Sequence, residues 1–189
     1  MKDVHLNRRC YRILLQAMSR PGRVFRLEKE EREESPFFPF LAIARCLLDQ
    51  EVSFCVFGED AMKPAMISAT GARAAGLQEA DFIFASRGTG RAIMEAKRGT
   101  PESPEEGATL ISCVNEPGTD GLDRCRVRLV GPGIPGKEGI SPEMSGIGPE
   151  DLRALQTANA EYPMGVDAVF VRKDGSVMCI PRSCRIQLR

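Results

Sequence analysis

A chain of 189 residues has room for one compact domain and little more, and at that length roughly 70% of the unfolded surface can be buried, so a core needs no staples. Lys plus Arg total 26 and Asp plus Glu total 26, a balance that advertises neither nucleic acid nor an anionic membrane as a partner. No run approaches the roughly 20 apolar residues of a membrane span, and no apolar run follows the charged segment 1–9 as a secretory signal requires.

In chain order, Leu6, Cys10, Ile13, Leu14, Ala17 and Met18 recur at helical spacing and predict an amphipathic helix over about 6–18, stopped by Ser19-Arg20-Pro21-Gly22. Glu28 to Glu34 is a mixed charge run that reads as a solvated loop or helix end. Phe40, Leu41, Ala44, Leu47 and Leu48 repeat the helical pattern. Val52 to Phe57 is nearly all apolar, as expected of a strand covered on both faces. Residues 58–80 give no clear element. Phe82 to Ala85 is a second strand, a short helical stretch follows near Ile93 and Met94, and 99–107 is a Pro- and Glu-rich surface connector. Thr109 to Val114 is a third strand. Asn115 to Gly121 supplies turn chemistry, and Cys125 to Val130 alternates, with Cys125, Val127 and Leu129 facing one way and Arg126 and Arg128 the other. Residues 131–149 are too rich in Gly and Pro to be regular, and Pro149 opens a helix through Leu152 and Leu155. Val166 to Val171 turns at Asp174-Gly175 into Ser176 to Ile180, a tight hairpin. Strands and helices alternating early, with a hairpin late, predict an α/β fold: a three-layer mixed sheet with helices on both faces, over 1–189 as a single domain.

The seven cysteines, Cys10, Cys46, Cys55, Cys113, Cys125, Cys179 and Cys184, include no C-x-x-C pair. Several sit in apolar runs, which reads as reduced thiols of a cytoplasmic protein. That spacing and the single histidine, His5, argue against a metal site and against a histidine-activated nucleophile. Arginine outnumbers lysine, which fits either an oxyanion or charged partner, through the guanidinium fork, or simply a genome rich in arginine codons.

Four segments in order carry a resemblance: Tyr11 to Gly22 with its Ala-Met-Ser-Arg-Pro-Gly stop; Leu47-Leu48-Asp49-Gln50-Glu51-Val52-Ser53-Phe54; Gly107 to Ile111 followed by Leu129-Val130-Gly131-Pro132-Gly133-Ile134; and Tyr162-Pro163-Met164-Gly165-Val166-Asp167, leading to Ile180-Pro181-Arg182-Ser183. Together they resemble the PhnH subunit family of the bacterial carbon–phosphorus lyase. Tyr11, Tyr162, Met164 and Cys184 depart from that pattern, and Cys184 removes a hydroxyl's hydrogen bond. The resemblance implies a fold similar to the pyridoxal-phosphate-dependent transferases without the cofactor. It implies a homodimer working with the other core subunits of the complex. It also implies a role with those subunits in forming ribose 1-phosphonate 5-triphosphate from ATP and a phosphonate. Phosphonate or nucleoside triphosphate would then meet the protein at the level of the complex, with no catalytic residue assigned to this subunit. The rival reading is a free-standing transferase with its own small-molecule pocket.

Pyridoxal phosphate needs a buried lysine for its Schiff base, and Lys2, Lys29, Lys63, Lys97, Lys137 and Lys173 all lie in polar or loop-like settings; no cofactor is expected. Gly131, Gly133 and Gly136 match the spacing of a dinucleotide fingerprint after a strand. No helix follows them to meet a pyrophosphate, so a tight loop where two backbones approach is the simpler reading of Gly131 and Gly133. Arg126, Arg128 and Arg182 are candidate forks for phosphate oxygens or for acidic groups on a partner. Asp167, inside an apolar run, must be paired, with Arg182 the natural partner, and Glu51 is a weaker candidate of the same kind. Asp49 with Glu51 as an acid–base pair is the sharpest enzymatic alternative, against a plain role at a helix end.

Overall fold

The computed structural model describes residues 2–28, 37–86, 89–114, 127–136, 138–142 and 146–188. Five helices lie among them: α1 (Lys2–Ser19), α2 (Phe40–Leu47), α3 (Lys63–Thr70), α4 (Thr89–Glu95) and α5 (Pro149–Ala158). The strands are β1 (Phe25–Arg26), β2 (Ser53–Phe57), β3 (Arg73–Ala74), β4 (Phe82–Ala85), β5 (Thr109–Cys113), β6 (Val127–Val130), β7 (Asp167–Val171), β8 (Ser176–Ile180) and β9 (Arg185–Leu188). Seven of them make one sheet in the order β1-β8-β7-β5-β4-β2-β3, parallel from β3 through β7 and antiparallel at β7–β8 and β8–β1.

Strand alternation decides which layer each side chain enters. Ile83, Ala85, Leu110, Ala168, Phe170, Met178 and Ile180 point to one face and meet α4, α5 and the inner residues of β6 and β9. Phe84, Ile111, Val169, Val171, Val177 and Cys179 point to the other and meet α1, α2 and α3. A sheet covered on both sides explains the almost unbroken apolar strands, since neither phase of the alternation reaches water. Each fully buried Phe, Leu or Ile contributes about 1.5–3 kcal/mol, and Phe84 adds an edge-to-face contact with Phe40 of α2 at 5.6 Å between ring centres.

The expected mixed α/β sheet between helical layers is present. Residues 58–80, blank in the sequence, form a 3-10 turn (Asp60–Met62), α3 and β3. The alternating segment before Gly131 does not join the sheet: β6 pairs with β9 as a separate antiparallel ribbon. Arg185–Leu188 is a strand for which the sequence pattern gives no sign. The segment after β6 is also less irregular than its glycines and prolines predict, because Ile140 and Leu129 exchange two backbone hydrogen bonds at 2.8 and 3.0 Å. The turn expected at Asn115–Gly121, with Cys125, Arg126, Lys29 and Lys137, lies outside the described residues. No helix among the described residues is long and apolar enough to cross a membrane.

Candidate functional site

The parallel strands give the sheet two unlike edges. At the N-terminal edge sit the charges. Asp167 opens β7, and Arg182 follows the end of antiparallel β8, so the topology alone brings them together. The Arg182 backbone N–H donates to Asp167 Oδ1 at 2.8 Å, while Nε and Nη2 donate to Oδ2 at 3.0 and 2.7 Å. Arg182 also donates from Nη1 to the carbonyl of Pro104 at 2.6 Å and from Nη2 to that of Gly107 at 3.1 Å. Four of the five guanidinium hydrogens are thereby committed within the chain. Arg182 ties the 104–107 connector to β7, and the single remaining Nη1 hydrogen is what it can offer to a ligand.

Two strands over, Asp81 at the entrance to β4 accepts from the Ser53 backbone N–H at 2.7 Å, the Ser53 hydroxyl at 2.6 Å and Lys97 Nζ at 2.5 Å. Burial pushes the Asp81 carboxyl up, but Lys97 and the Ser53 donors outweigh it and hold the group below its ordinary value. Of the lysines weighed for Schiff-base chemistry, Lys97 is in this ion pair, while Lys63 and Lys173 are exposed.

Beside Arg182 opens a groove of about 770 Å³ between the C-terminal end of α5 and the outer side of β9. Gly131, Gln156, Asn159, Tyr162, Arg182 and Arg185 are among its lining residues. Asn159 is spent on the backbone of Val166, which donates to its Oδ1 at 2.7 Å and accepts from its Nδ2 at 3.1 Å. Gln156 Nε2 donates to the carbonyl of Ile186 at 3.1 Å, closing the side of β9. Cys184, at the groove floor, is 4% exposed, and burial, with the Asp167 charge behind it, pushes its thiol up to about 11.

At the C-terminal edge lie hydroxyls. Thr89 Oγ1 and Ser112 Oγ are 2.8 Å apart and buried, and Ser86 Oγ is buried without a hydrogen-bond partner among the described residues. In open α/β sheets, ligands collect at this edge, so both ion pairs stand at the end opposite the usual ligand crevice.

The remaining sequence candidates are dispersed. Arg128, on the outer face of β6, donates through Nε to the Glu138 carbonyl and places Nη2 3.7 Å from the Glu138 carboxylate. Gly133 has φ +78, and a Cβ there would meet the carbonyl oxygen of Ser19 at 2.2 Å. Its loop therefore leans on the C-terminal end of α1, where backbone carbonyls repel anions. Gly131 approaches the backbone of Ser183 and Cys184. Asp49 and Glu51 are both exposed, and the Asp49 carboxylate accepts the Glu51 backbone N–H at 2.9 Å, a local turn. His5 is exposed on α1. No group of three metal-ligating side chains gathers among the described residues.

Sequence reasoning did not anticipate Asp81 with Ser53 and Lys97, nor the hydroxyls of Ser86, Thr89 and Ser112. A signal existed for the hydroxyls: Ser86 directly follows an apolar strand, and Thr89 lies between Gly88 and Gly90.

Residues 1–187 match the family model for bacterial phosphonate metabolism protein (PhnH). A curated relative from Stutzerimonas stutzeri, named "Putative C-P lyase subunit protein HtxG", is 31% identical over 184 residues, covering 95% of this chain and 85% of its own length.

Proposed function

The chain belongs to the PhnH family of bacterial phosphonate metabolism proteins, and from that premise we propose that it is a subunit of a carbon–phosphorus lyase complex, dependent on sister subunits for chemistry. Its part is in phosphonate catabolism. Within the complex it is required for displacing adenine from ATP by a phosphonate, which gives ribose 1-phosphonate 5-triphosphate. In this reading the protein is a cytoplasmic homodimer, resembles the pyridoxal-phosphate transferase fold and does not use that cofactor.

The observation supporting a subunit role is that Arg182, Lys97 and Arg128 are spent on partners within the chain. Arg182 is held by Asp167, Pro104 and Gly107, Lys97 by Asp81, and Arg128 by Glu138. A self-sufficient phosphoryl or nucleoside site needs such donors free to meet developing negative charge. The groove beside Arg182 is what favours the rival, a free-standing transferase.

One reconstitution separates the two. ATP and methylphosphonate are incubated with the purified sister subunits, with and without this chain, and adenine release is followed. Release only when the chain and its sisters are together supports the subunit role. Release by this chain alone establishes the transferase, and release by the sisters without it removes the requirement. Light scattering on the isolated chain tests the dimer.

A further inference from the structure

α1 buries one side and leaves an unusual one in water. Cys10, Leu14 and Ala17 face the core, and Asn7 on one flank donates to the Arg45 carbonyl, sealing the helix against α2. On the outer side, Val4, Tyr11 and Leu15 are 70%, 49% and 51% exposed. At 100° per residue these three fall within about 40° of arc, so they lie along one side of the helix, with Tyr11 and Leu15 one turn apart and Val4 two turns before Tyr11. Arg8 and Arg12 flank that side, one turn apart. Neither has an ion-pair partner among the described residues, whereas Arg9, on another side of the same helix, reaches Glu28 at 2.6 Å. Like charges four residues apart destabilise a helix on its own. Single exposed apolar residues are ordinary, but a line of three beside two arginines that have no ion pair among the described residues is not.

We propose that the outer face of α1, through Val4, Tyr11 and Leu15 with Arg8 and Arg12 beside them, is a docking surface for an acidic groove on a sister subunit of the complex. This rests on the subunit reading above. Anchors at i, i+7 and i+11 are the spacing with which a helix lies in a groove, and carboxylates on the rim would relieve the two arginines. A second copy is a poor occupant. A two-fold contact sets each residue patch against itself and would bring Arg8 and Arg12 against their own images. A lipid surface is also a poor fit, because membrane-bound helices insert a broad apolar face, and the broad apolar face of α1 is already buried against the sheet.

The test uses the intact chain and purified sister subunits. Capture of the sisters should weaken at least tenfold in Arg8→Glu/Arg12→Glu and in Tyr11→Ala/Leu15→Ala. It should persist in Arg8→Lys/Arg12→Lys, and wild-type capture should fall as salt rises. Circular dichroism confirms that the variants are folded. A photo-crosslinker placed at Leu15 in the assembled complex should mark an Asp- or Glu-rich segment of a sister subunit. Equal capture by wild type and both disruptive variants overturns this surface alone. So does a crosslink to a second copy of the chain, or sedimentation with phosphatidylserine vesicles that the Arg8→Glu/Arg12→Glu variant loses. A wild type that captures no sister subunit overturns the subunit reading and the surface with it.

Discussion

Arg182 and Asp167 hold each other twice, once through the Arg182 backbone N–H and once through its guanidinium. With side chains only 14% and 24% exposed, neither can recover its hydration if the other is removed. Arg182→Ala is expected to cost about 2–3 kcal/mol in urea unfolding, because it strands a carboxylate and frees the Pro104 and Gly107 carbonyls. Arg182→Lys should recover little of it, since one ammonium cannot span Asp167 and two carbonyls. A loss below about 0.5 kcal/mol, the scale of an ordinary surface change, would show the clamp to be idle.

Gly133 and Gly136 share φ +78 but not their surroundings: a Cβ at Gly133 meets the Ser19 carbonyl, and one at Gly136 meets open space. Gly136→Ala should therefore show only the left-handed backbone cost of about 1–2 kcal/mol. Gly133→Ala should exceed it by at least about 1 kcal/mol, because the loop must also move off α1. Equal midpoint shifts in parallel denaturant titrations would contradict the close approach.

Cys184 makes an alkaline prediction. Unfolded, its thiol ionises near the ordinary 9.0; folded, it keeps its proton to about 11. Between those values the unfolded state sheds a proton that the folded state retains, so stability falls as pH rises, while below 9.0 the contribution is constant. Thermal melts from pH 8 to 11 should decline less steeply in Cys184→Ala than in the wild type. Parallel slopes would show that Cys184 is not the source.

Asp81 makes the opposite prediction. Its carboxyl sits below the ordinary 3.8, so its contribution is present above 3.8 and is lost as pH falls through its folded value. In Lys97→Met, burial and the Ser53 donors remain without the cation, and the Asp81 pKa measured by carbon-detected NMR should rise. An unchanged titration would mean that Ser53 alone sets it.

Native thiol reactivity should follow burial and ionisation together. Cys46, half-buried, is held below its usual value by a hydrogen bond from Cys10, whereas burial pushes Cys179 and Cys184 up. Iodoacetamide at pH 8 is expected to label Cys46 before either, as read by mass spectrometry at short times. Early labelling of Cys179 would indicate that the sheet opens locally.

The central strands were legible in the sequence because both of their faces are dry, so β2, β4, β5, β7 and β8 read as apolar runs with turn residues at their ends. Less was available where burial is thin. Within α3 only Met66 is buried, and β9 buries Ile186 alone, so neither shows a usable period. Asp167 announced its need for a partner by being a charge in an apolar run, and Arg182 was the nearby cation. That Arg182 also grips carbonyls 75 and 78 positions away depends on tertiary folding that no local pattern encodes. Likewise Gly131-Pro132-Gly133 signals a close turn, but that Ser19 stands behind it is set by the placement of α1.

The seven-stranded sheet ends on either side in a two-residue strand, Phe25–Arg26 and Arg73–Ala74. Each carries an exposed arginine, Arg26 or Arg73. Strand-by-strand recruitment of the cross-β kind requires an uncharged, apolar segment of about six residues open along its length. These margins are too short and too charged to supply one. The apolar strands that would stack most readily, β4, β5 and β7, are flanked on both sides within the sheet, so in the folded protein they cannot seed amyloid-like growth.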